Sequence, residues 1–310
     1  MSVKIAVMGA GSVGGYLGGK LALAGNRVTL IARGAHLEAI RRSGLRLMTT
    51  TQDFTLRFPE DVLATGDPAT VGPVDLVLLT VKTYQNTEAV AAIAPLAGPD
   101  TSVLCLQNGI DSYQEVAGVL GAANLLPGAV YIEASVPEPG AVRQAGDVVQ
   151  VVFGELDASD SPRGRRVLET LESAGIDTEF TQDIRKALWS KFIFIATMAG
   201  VTSISRRTMA QLMPEPHWRE VIISCLREIY AVGLASGVNL DPGIVDQTIE
   251  YIDNSLEDLS ASMHADLLAG RPLELEALNG AVVRVSKTVG SPTPINDVIY
   301  ALLKPYEKGS

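Results

Sequence analysis

The sequence predicts an α/β domain followed by an all-helical domain, and three observations carry that prediction. Short apolar runs alternate with helix-compatible stretches up to residue 182, as in a largely parallel sheet covered by helices. A glycine-rich turn joins the first apolar run to the first helix. From residue 183 to residue 310 the pattern is that of successive amphipathic helices. Because 310 residues exceed what one core usually holds, we place a domain boundary between residues 182 and 183.

The glycine-rich turn lies in the segment VKIAVMGAGSVGG. Val3 to Met8 is typical of a buried strand, and Gly9, Gly11 and Gly14 then form G-x-G-x-x-G before a helix. In this context the motif predicts a Rossmann-type dinucleotide-binding domain. Gly9 would allow the tight turn, Gly11 the approach of a pyrophosphate, and Gly14 close helix–strand packing. The predicted cofactor-binding residues of the turn are Gly9, Ala10, Gly11, Ser12, Val13 and Gly14.

Arg33 ends the second apolar run, RVTLIAR. Sites for NAD usually carry an acidic residue there, about 20 positions after the glycines, to bind the ribose 2′-hydroxyl. An arginine can instead bind a 2′-phosphate through charge-assisted hydrogen bonds. The sequence therefore predicts NADPH/NADP+ as cofactor, and the alternative is a solvent-exposed arginine.

Later segments of the first half continue the alternation of strands and helices. Strands are predicted at 74–82 and 101–109, with a helix at 84–96 between them. Further predicted elements are an edge β excursion after residue 45, antiparallel strands over 124–155, a helix at 164–175 and a strand at 176–180. Lys82 and Asn108 end two of these strands, so we expect them near the bound cofactor. The alternatives are a helix-start lysine and a turn asparagine.

The second half shows helical patterns that begin and end with capping signals. Asp183 can cap a helix to about residue 203, and Pro242 suits the first turn of another. The predicted helices are 183–203, 217–236, 241–259, 274–288 and 296–308. These long apolar helices make a homodimer the expected assembly.

Composition limits the partners that we expect. The net charge of -10 argues against nucleic acid and anionic membranes. Cys105 and Cys225 lie in apolar segments and are predicted to be buried thiols, and the three histidines form no cluster that predicts a metal site. The apolar run Phe192–Ile204 is shorter than the roughly 20 residues that a bilayer requires. With no targeting signal recognised, we expect a soluble cytoplasmic protein.

Lys191 lies within the apolar segment LWSKFIFIATMAG. A buried unpaired charge is costly, so the lysine either extends its ammonium to water or has a function. Five segments favour function, because together they resemble the ketopantoate reductase (2-dehydropantoate 2-reductase) family from Lys4 to about Pro294. The segments are GAGSVGG, VKTYQ, QNG, RKALWSK and SMHADLLAGRPLELEALNG.

The resemblance implies NADPH-dependent reduction of the C2 carbonyl of a 2-oxo acid, above all of 2-dehydropantoate to pantoate in pantothenate biosynthesis. Lys191 matches the family's catalytic lysine, and Glu274 matches the glutamate of its helical domain. Ser262 matches a substrate-binding serine. Asn108 and Lys82 match the pair near the nicotinamide, and Asn108 is also expected to contact substrate.

One departure from the family concerns substrate recognition. The family usually carries asparagines four and eight residues after the lysine, where this chain has Ile195 and Ala199. Three explanations remain: a hydroxyl group substitutes, the substrate is a less polar 2-oxo acid or other small carbonyl compound, or the chain is a paralogue with little activity. The candidate hydroxyl groups belong to Thr197, Thr202 and Ser203.

Other classes of protein also remain open. Hydroxyacid and opine-type dehydrogenases join similar domains, but the combination of Lys82, Asn108, Lys191 and Glu274 disfavours them. A non-catalytic sensor that binds NADP(H) would need the glycine turn and Arg33 without needing Lys191.

Overall fold

The computed structural model describes residues 2–254 and 261–309, and the chain divides into two compact units. The sheet unit contains Met1–Gln107 and Ser112–Ile184, and the helical unit contains Asn108–Asp111 and Arg185–Ser310. The predicted fold class, an α/β Rossmann-type domain followed by a helical domain, is confirmed. The main division falls two residues after the predicted one. No sequence pattern indicated that Asn108–Asp111 would group with the helices.

The sheet unit is built on one ten-stranded sheet. Its strands are β1 (Lys4–Met8), β2 (Arg27–Ile31), β3 (Leu45–Met48), β4 (Asp53–Leu56), β5 (Leu63–Thr65), β6 (Val74–Leu79), β7 (Ala97–Cys105), β8 (Leu125–Ser135), β9 (Ala141–Phe153) and β10 (Asp177–Phe180). The order is β4-β3-β9-β8-β7-β6-β1-β2-β5, with β10 paired to β9. Neighbours from β8 through β5 pair in parallel, whereas β8 and β9 are antiparallel.

Helices cover both faces of this sheet. They are α1 (Ser12–Leu23), α2 (Gly34–Ser43), α3 (Asn86–Ile93), α4 (Tyr113–Leu120) and α5 (Pro162–Ser173). Successive residues of β1 enter different cores: Ile5 and Val7 pack in one, and Ala6 and Met8 in the other. This burial on both faces explains why the parallel strands are continuous apolar runs rather than alternating patterns.

Strand ends at the centre of the sheet differ from prediction. β6 ends at Leu79 and β7 at Cys105, so Lys82 and Asn108 lie beyond the strands rather than at their last positions. After β7 the chain leaves the sheet, and Gly109 has a φ of 108° that favours glycine. The predicted strand at 101–109 was therefore wrong in its last four residues.

The helical unit contains seven helices within the part of the chain that the structure describes. They are α6 (Ile184–Ser205), α7 (Met209–Leu212), α8 (Pro216–Ala235), α9 (Ile244–Asn254), α10 (Ser262–Leu268), α11 (Asn279–Val289) and α12 (Pro294–Leu303). α9 begins three residues later than predicted because the Asp241 carboxylate accepts a hydrogen bond from Gly243 N at 2.8 Å in a preceding turn. The predicted end of that helix, 255–259, lies outside the described residues.

Glu274 lies before a helix rather than in one. The helix predicted from this residue begins at Asn279, after a turn over Leu275–Leu278. The apolar spacing of this segment continues into α11, which is why the sequence alone placed the helix start too early.

A buried polar network holds α6 to its neighbours. Glu228 on α8 accepts hydrogen bonds from Ile295 N and Asn296 N at the start of α12, at 2.8 and 3.0 Å. Asn279 Nδ2 donates to Asn296 Oδ1 at 3.1 Å and to the Ala196 carbonyl of α6 at 3.2 Å. The network therefore links four helices through groups that would be costly to bury without partners.

α6 corrects the expectation drawn from its apolar run. The run belongs to a 22-residue helix that is long and apolar enough, by length and composition, to cross a membrane. However, 61% of its most apolar window is buried against the rest of the protein. Such burial is what a core helix of a soluble protein shows. Cys105 and Cys225 are buried, as predicted, and burial raises the pKa of Cys225 to about 12.

Candidate active site

The glycine turn between β1 and α1 is constrained by close contacts at two of its three glycines. A Cβ added to Gly9 would lie 2.7 Å from Val81 Cγ1, and one added to Gly14 would lie 2.3 Å from the Gly9 carbonyl. The Thr80 hydroxyl donates to that carbonyl at 2.8 Å and so closes the turn. By contrast, a Cβ on Gly11 would meet nothing within 4 Å. Gly11 therefore faces open space from which a ligand can approach the backbone.

A cavity of about 460 Å³ adjoins this turn. Four of the predicted cofactor-binding residues line it: Gly9, Ala10, Gly11 and Arg33. Of the other predicted residues of the sheet unit, Ser12, Val13 and Gly14 begin α1, and Lys82 precedes a short 3-10 helix. Neither Lys82 nor these three are among the residues that line the cavity.

The cavity suits a dinucleotide. The first-turn N–H groups of a helix lack intrahelical acceptors, and the helix dipole favours an anion there. The volume lies in the range of about 300–1,000 Å³ that is usual for small-molecule sites. Together with the open side of Gly11, these features accommodate a pyrophosphate at the start of α1.

His36 and Glu88 are two residues of this region that the sequence analysis did not single out. His36 lines the cavity, and its Nδ1 accepts a hydrogen bond from Gly140 N at 3.0 Å. Burial lowers the pKa of His36. Glu88 forms an ion pair with Arg33 at 3.2 Å. Neither residue lies within a motif, and their hydrogen-bond partners are 104 and 55 positions away in the sequence.

A second cluster of polar side chains lies within the helical unit. The amide of Asn108 bridges two charged residues: its Oδ1 accepts from Lys191 Nζ at 3.1 Å, and its Nδ2 donates to Glu274 Oε2 at 3.4 Å. Lys191 is half-buried on α6, and Glu274 is only 3% exposed. Three residues from distant parts of the sequence thus form one connected group.

Burial sets the protonation of this cluster. Desolvation lowers the pKa of Lys191 to about 8, although the negative charge of Glu274 opposes the shift. A lysine of this pKa is mostly an ammonium ion at neutral pH and still releases its proton readily. It therefore has the property that a general acid near neutral pH requires.

Arg284 on α11 braces the two segments that carry Asn108 and Glu274. Its guanidinium pairs with Asp111 at 3.2 Å and with Glu276 at 2.8 Å, and it also donates to the Glu276 carbonyl at 3.0 Å. No local sequence signal indicates this role, because Asp111 and Arg284 are 173 positions apart.

The face of α6 that carries Lys191 is apolar at the two positions where the family has asparagines. Ile195 is half-buried among apolar neighbours, and Ala199 is 2% exposed. Of the candidate substitutes, Thr202 donates its hydroxyl to the Met198 carbonyl at 2.7 Å. Thr197 falls on the opposite side of α6 by helical periodicity, and Ser203 is buried. Ser262, the predicted substrate-binding serine, is exposed at the start of α10.

A glycine-turn cavity in the sheet unit and a lysine–amide–carboxylate cluster in the helical unit together define a dinucleotide-dependent oxidoreductase. Comparisons with known proteins narrow this class. A family model described as ketopantoate reductase PanE/ApbA matches residues 5–158, and its C-terminal counterpart matches residues 183–307. The chain belongs to the ketopantoate reductase family, whose members are oxidoreductases that act on CH–OH groups.

Individual relatives cover nearly the whole chain. A 2-dehydropantoate 2-reductase of Mesorhizobium japonicum is 31% identical over 97% of both chains. The crystal structure of a PanE/ApbA family ketopantoate reductase from Ralstonia eutropha is 33% identical and covers 98% of each chain with a TM-score of 0.90. A D-mandelate dehydrogenase, in a ternary structure with NADH and anilino(oxo)acetate, is 26% identical and covers 98% of each chain with a TM-score of 0.88. The comparisons support a nicotinamide dinucleotide cofactor and a small-molecule substrate.

Proposed function

We propose that this protein uses NADPH to reduce the C2 carbonyl of a 2-oxo acid, and that the acid is 2-dehydropantoate, which yields pantoate for pantothenate biosynthesis. The observation that carries the proposal is the Asn108 bridge between Lys191 and Glu274. It holds an ammonium group whose pKa lies near 8. The names of the 2-dehydropantoate 2-reductases among its relatives support the choice of substrate.

In the proposed mechanism a bound nicotinamide dinucleotide supplies the hydride. The Lys191 ammonium donates a hydrogen bond to the carbonyl oxygen, stabilises the negative charge that develops there, and then transfers its proton to that oxygen. Asn108 orients the ammonium through its Oδ1. Glu274 raises the pKa of Lys191 against the effect of burial, which keeps the acid form populated. Ser262 and Asn108 are the proposed substrate-binding residues.

The choice of NADPH rests on Arg33. This residue lines the cavity beside the glycine turn and is the cation among the described residues that do so. A guanidinium binds a phosphate through forked, charge-assisted hydrogen bonds. Lys82, just after β6, is the other cation that we assign to the cofactor.

A second candidate substrate is a less polar 2-oxo acid. Ile195 and Ala199 offer no hydrogen-bonding group on the Lys191 face of α6. The Thr202 hydroxyl donates to the Met198 carbonyl of the same helix. A site that lacks a polar partner discriminates poorly in favour of a hydroxylated substrate. A similar structure is named D-mandelate dehydrogenase, so a protein of this fold is named for a substrate other than 2-dehydropantoate.

The test measures NADPH oxidation by purified protein with 2-dehydropantoate and with a panel of apolar 2-oxo acids. We expect turnover, with kcat/KM highest for 2-dehydropantoate. A higher value for an apolar acid would favour the second candidate. Lys191→Ala is the control and is expected to lower kcat about 10²- to 10⁴-fold while NADPH still binds. Binding of NADPH without turnover of any substrate would contradict an enzymatic role and favour a sensor.

We also propose a cytoplasmic homodimer. Cys105 and Cys225 are free thiols, which suits a reducing compartment. Val298 and Leu302 are each more than half exposed one turn apart on α12, and such an apolar surface suits contact with a second copy. Light scattering of the purified chain tests the assembly.

A further inference from the structure

We propose that Glu88 sets the cofactor selectivity of this protein by competing with the 2′-phosphate of NADP(H) for Arg33. The inference rests on the proposed function, in which the cavity of the sheet unit binds a nicotinamide dinucleotide. Glu88 Oε2 lies 3.2 Å from Arg33 NH1, and both side chains are mostly exposed. Glu88 belongs to α3, and the next residue, Ala89, lines the same cavity as Arg33.

The competition follows from charge. A phosphate monoester carries about -1.5 to -2 charges at neutral pH and binds a guanidinium through several of its N–H groups. A carboxylate already bound to one of those groups must be displaced, or must remain as a repelling neighbour. Glu88 therefore weakens the binding of a 2′-phosphate at Arg33.

A cofactor without the phosphate meets the same pair differently. The ribose 2′-hydroxyl of NAD(H) is a donor, and dinucleotide sites commonly bind it with a carboxylate. The position that usually supplies this carboxylate is occupied by Arg33. Glu88 brings an equivalent carboxylate to that place from α3. The pair thus accommodates NADH while it is intact and NADPH once it is broken.

Other charged or titratable groups that line the cavity do not supply this effect. Glu138 pairs with Arg46 at 3.2 Å. His36 is held by Gly140 N, and its lowered pKa favours the neutral ring. Of the described lining residues, Arg33 therefore carries the positive charge. Glu88, next to the lining residue Ala89, is the acid bound to Arg33.

The experiment compares dissociation constants of NADPH, NADH and 2′,5′-ADP for the wild type and Glu88→Gln, measured by fluorescence without substrate. We expect Glu88→Gln to bind NADPH and 2′,5′-ADP about 2- to 5-fold more tightly, as suits an exposed ion pair. NADH binding should stay equal or weaken. The NADPH gain should shrink at high salt, because exposed charges are screened. Asp61→Asn is the matched control, since it breaks the exposed Arg57–Asp61 pair of the same unit away from the cavity lining.

The outcomes separate the two proposals. An unchanged NADPH-to-NADH ratio in Glu88→Gln, or the same change in Asp61→Asn, would overturn the role of Glu88 alone. Failure of the wild type to bind either dinucleotide would overturn the proposed function, and the inference with it.

Discussion

Asn108 Oδ1 accepts a hydrogen bond from Lys191 Nζ at 3.1 Å, although 83 positions separate the two residues in the sequence. The same amide donates to Glu274 at 3.4 Å, so a neutral group separates the ammonium from the carboxylate along this path. An amide orients the ammonium without adding a negative charge beside it. This arrangement lets burial lower the pKa of Lys191, whereas a carboxylate in place of the amide would oppose the shift.

The first prediction concerns the pH dependence of reduction. The proposed general acid is the Lys191 ammonium, and its pKa is about 8. We therefore expect kcat for reduction to be constant below that pH and to fall as pH rises through it, while the reverse oxidation shows the opposite trend. Asn108→Asp places a carboxylate against the ammonium and should move the fall to higher pH. If kcat of Asn108→Asp still falls near pH 8, the group that titrates is not Lys191.

The second prediction concerns stability. Below about pH 8 the lysine is protonated in both the folded and the unfolded protein, so the cost of burying the ammonium is fully present. Between about pH 8 and the usual lysine pKa of 10.5 the folded state loses its proton first, and the cost is relieved. Lys191→Met should therefore be more stable than the wild type at pH 7, on the order of 2 kcal/mol. Denaturant unfolding at pH 7 and pH 10 checks whether the gain shrinks with pH; an equal gain at both would contradict it.

The sequence predicts the fold class well because its strongest signals are local. Buried parallel strands, the glycine turn and the long helix α6 each show in residues adjacent along the chain. The sequence-based predictions were wrong where contacts distant in sequence determine the structure. Segment Asn108–Asp111 groups with the helical unit, and Glu274 precedes α11 instead of starting it. Helix α2 (Gly34–Ser43) was not predicted, because it begins directly after Arg33 without a side-chain capping residue to mark its start.

Only part of the candidate site could be predicted from local sequence patterns. The glycine turn and Arg33 follow from local pattern, whereas the roles of Lys191, Glu274 and Ser262 came from resemblance and remain predictions. The partners Glu88 and Arg284 could not be predicted, because their contacts span 55 and 173 positions and depend on how helices pack on distant segments.

The third prediction separates two glycines of the turn. A Cβ at Gly14 would lie 2.3 Å from both the Gly9 carbonyl and Thr80 Oγ1, whereas a Cβ at Gly11 would meet nothing within 4 Å. Gly14→Ala should therefore lower stability by about 1–3 kcal/mol, as overpacking does. Gly11→Ala should keep the wild-type Tm but weaken NADPH binding, because its methyl group occupies the open side. Thermal unfolding and NADPH titration of both variants check this; a lowered Tm in Gly11→Ala would contradict the assignment.

The fourth prediction concerns the apolar positions of α6. Ile195→Asn restores an amide one turn after Lys191, on the same helical face. We expect it to raise the ratio of kcat/KM for 2-dehydropantoate to that for an apolar 2-oxo acid, by about 10-fold if the amide bonds the substrate hydroxyl. Phe194→Asn, at the adjacent half-buried position, is the control and should leave the ratio unchanged. A ratio that is the same in both variants would show that this face does not contact the distinguishing groups of the substrate.

The fifth prediction concerns Arg284 as a positioning residue. Its guanidinium bonds Asp111, three residues after Asn108, and Glu276, two residues after Glu274. Arg284→Ala should let the two segments shift and lower kcat roughly 3- to 10-fold, less than the 10²-fold that an ångström of misplacement can cost. The pH at which kcat falls should also change, because the hydrogen bond between Asn108 and Lys191 loosens. Arg284→Lys keeps one ion pair and should recover part of kcat.

Arg219→Ala is the matched control for this variant. It breaks an exposed ion pair with Asp253 that joins α8 to α9 and touches neither segment. Each of these exposed ion pairs should contribute little to stability, about 0–1 kcal/mol, so the Tm of the two variants should be similar. Their kcat values and pH profiles should differ, because only Arg284 braces the segments that carry Asn108 and Glu274. Equal kcat and identical pH profiles in the two variants would show that Arg284 does not position Asn108 and Glu274.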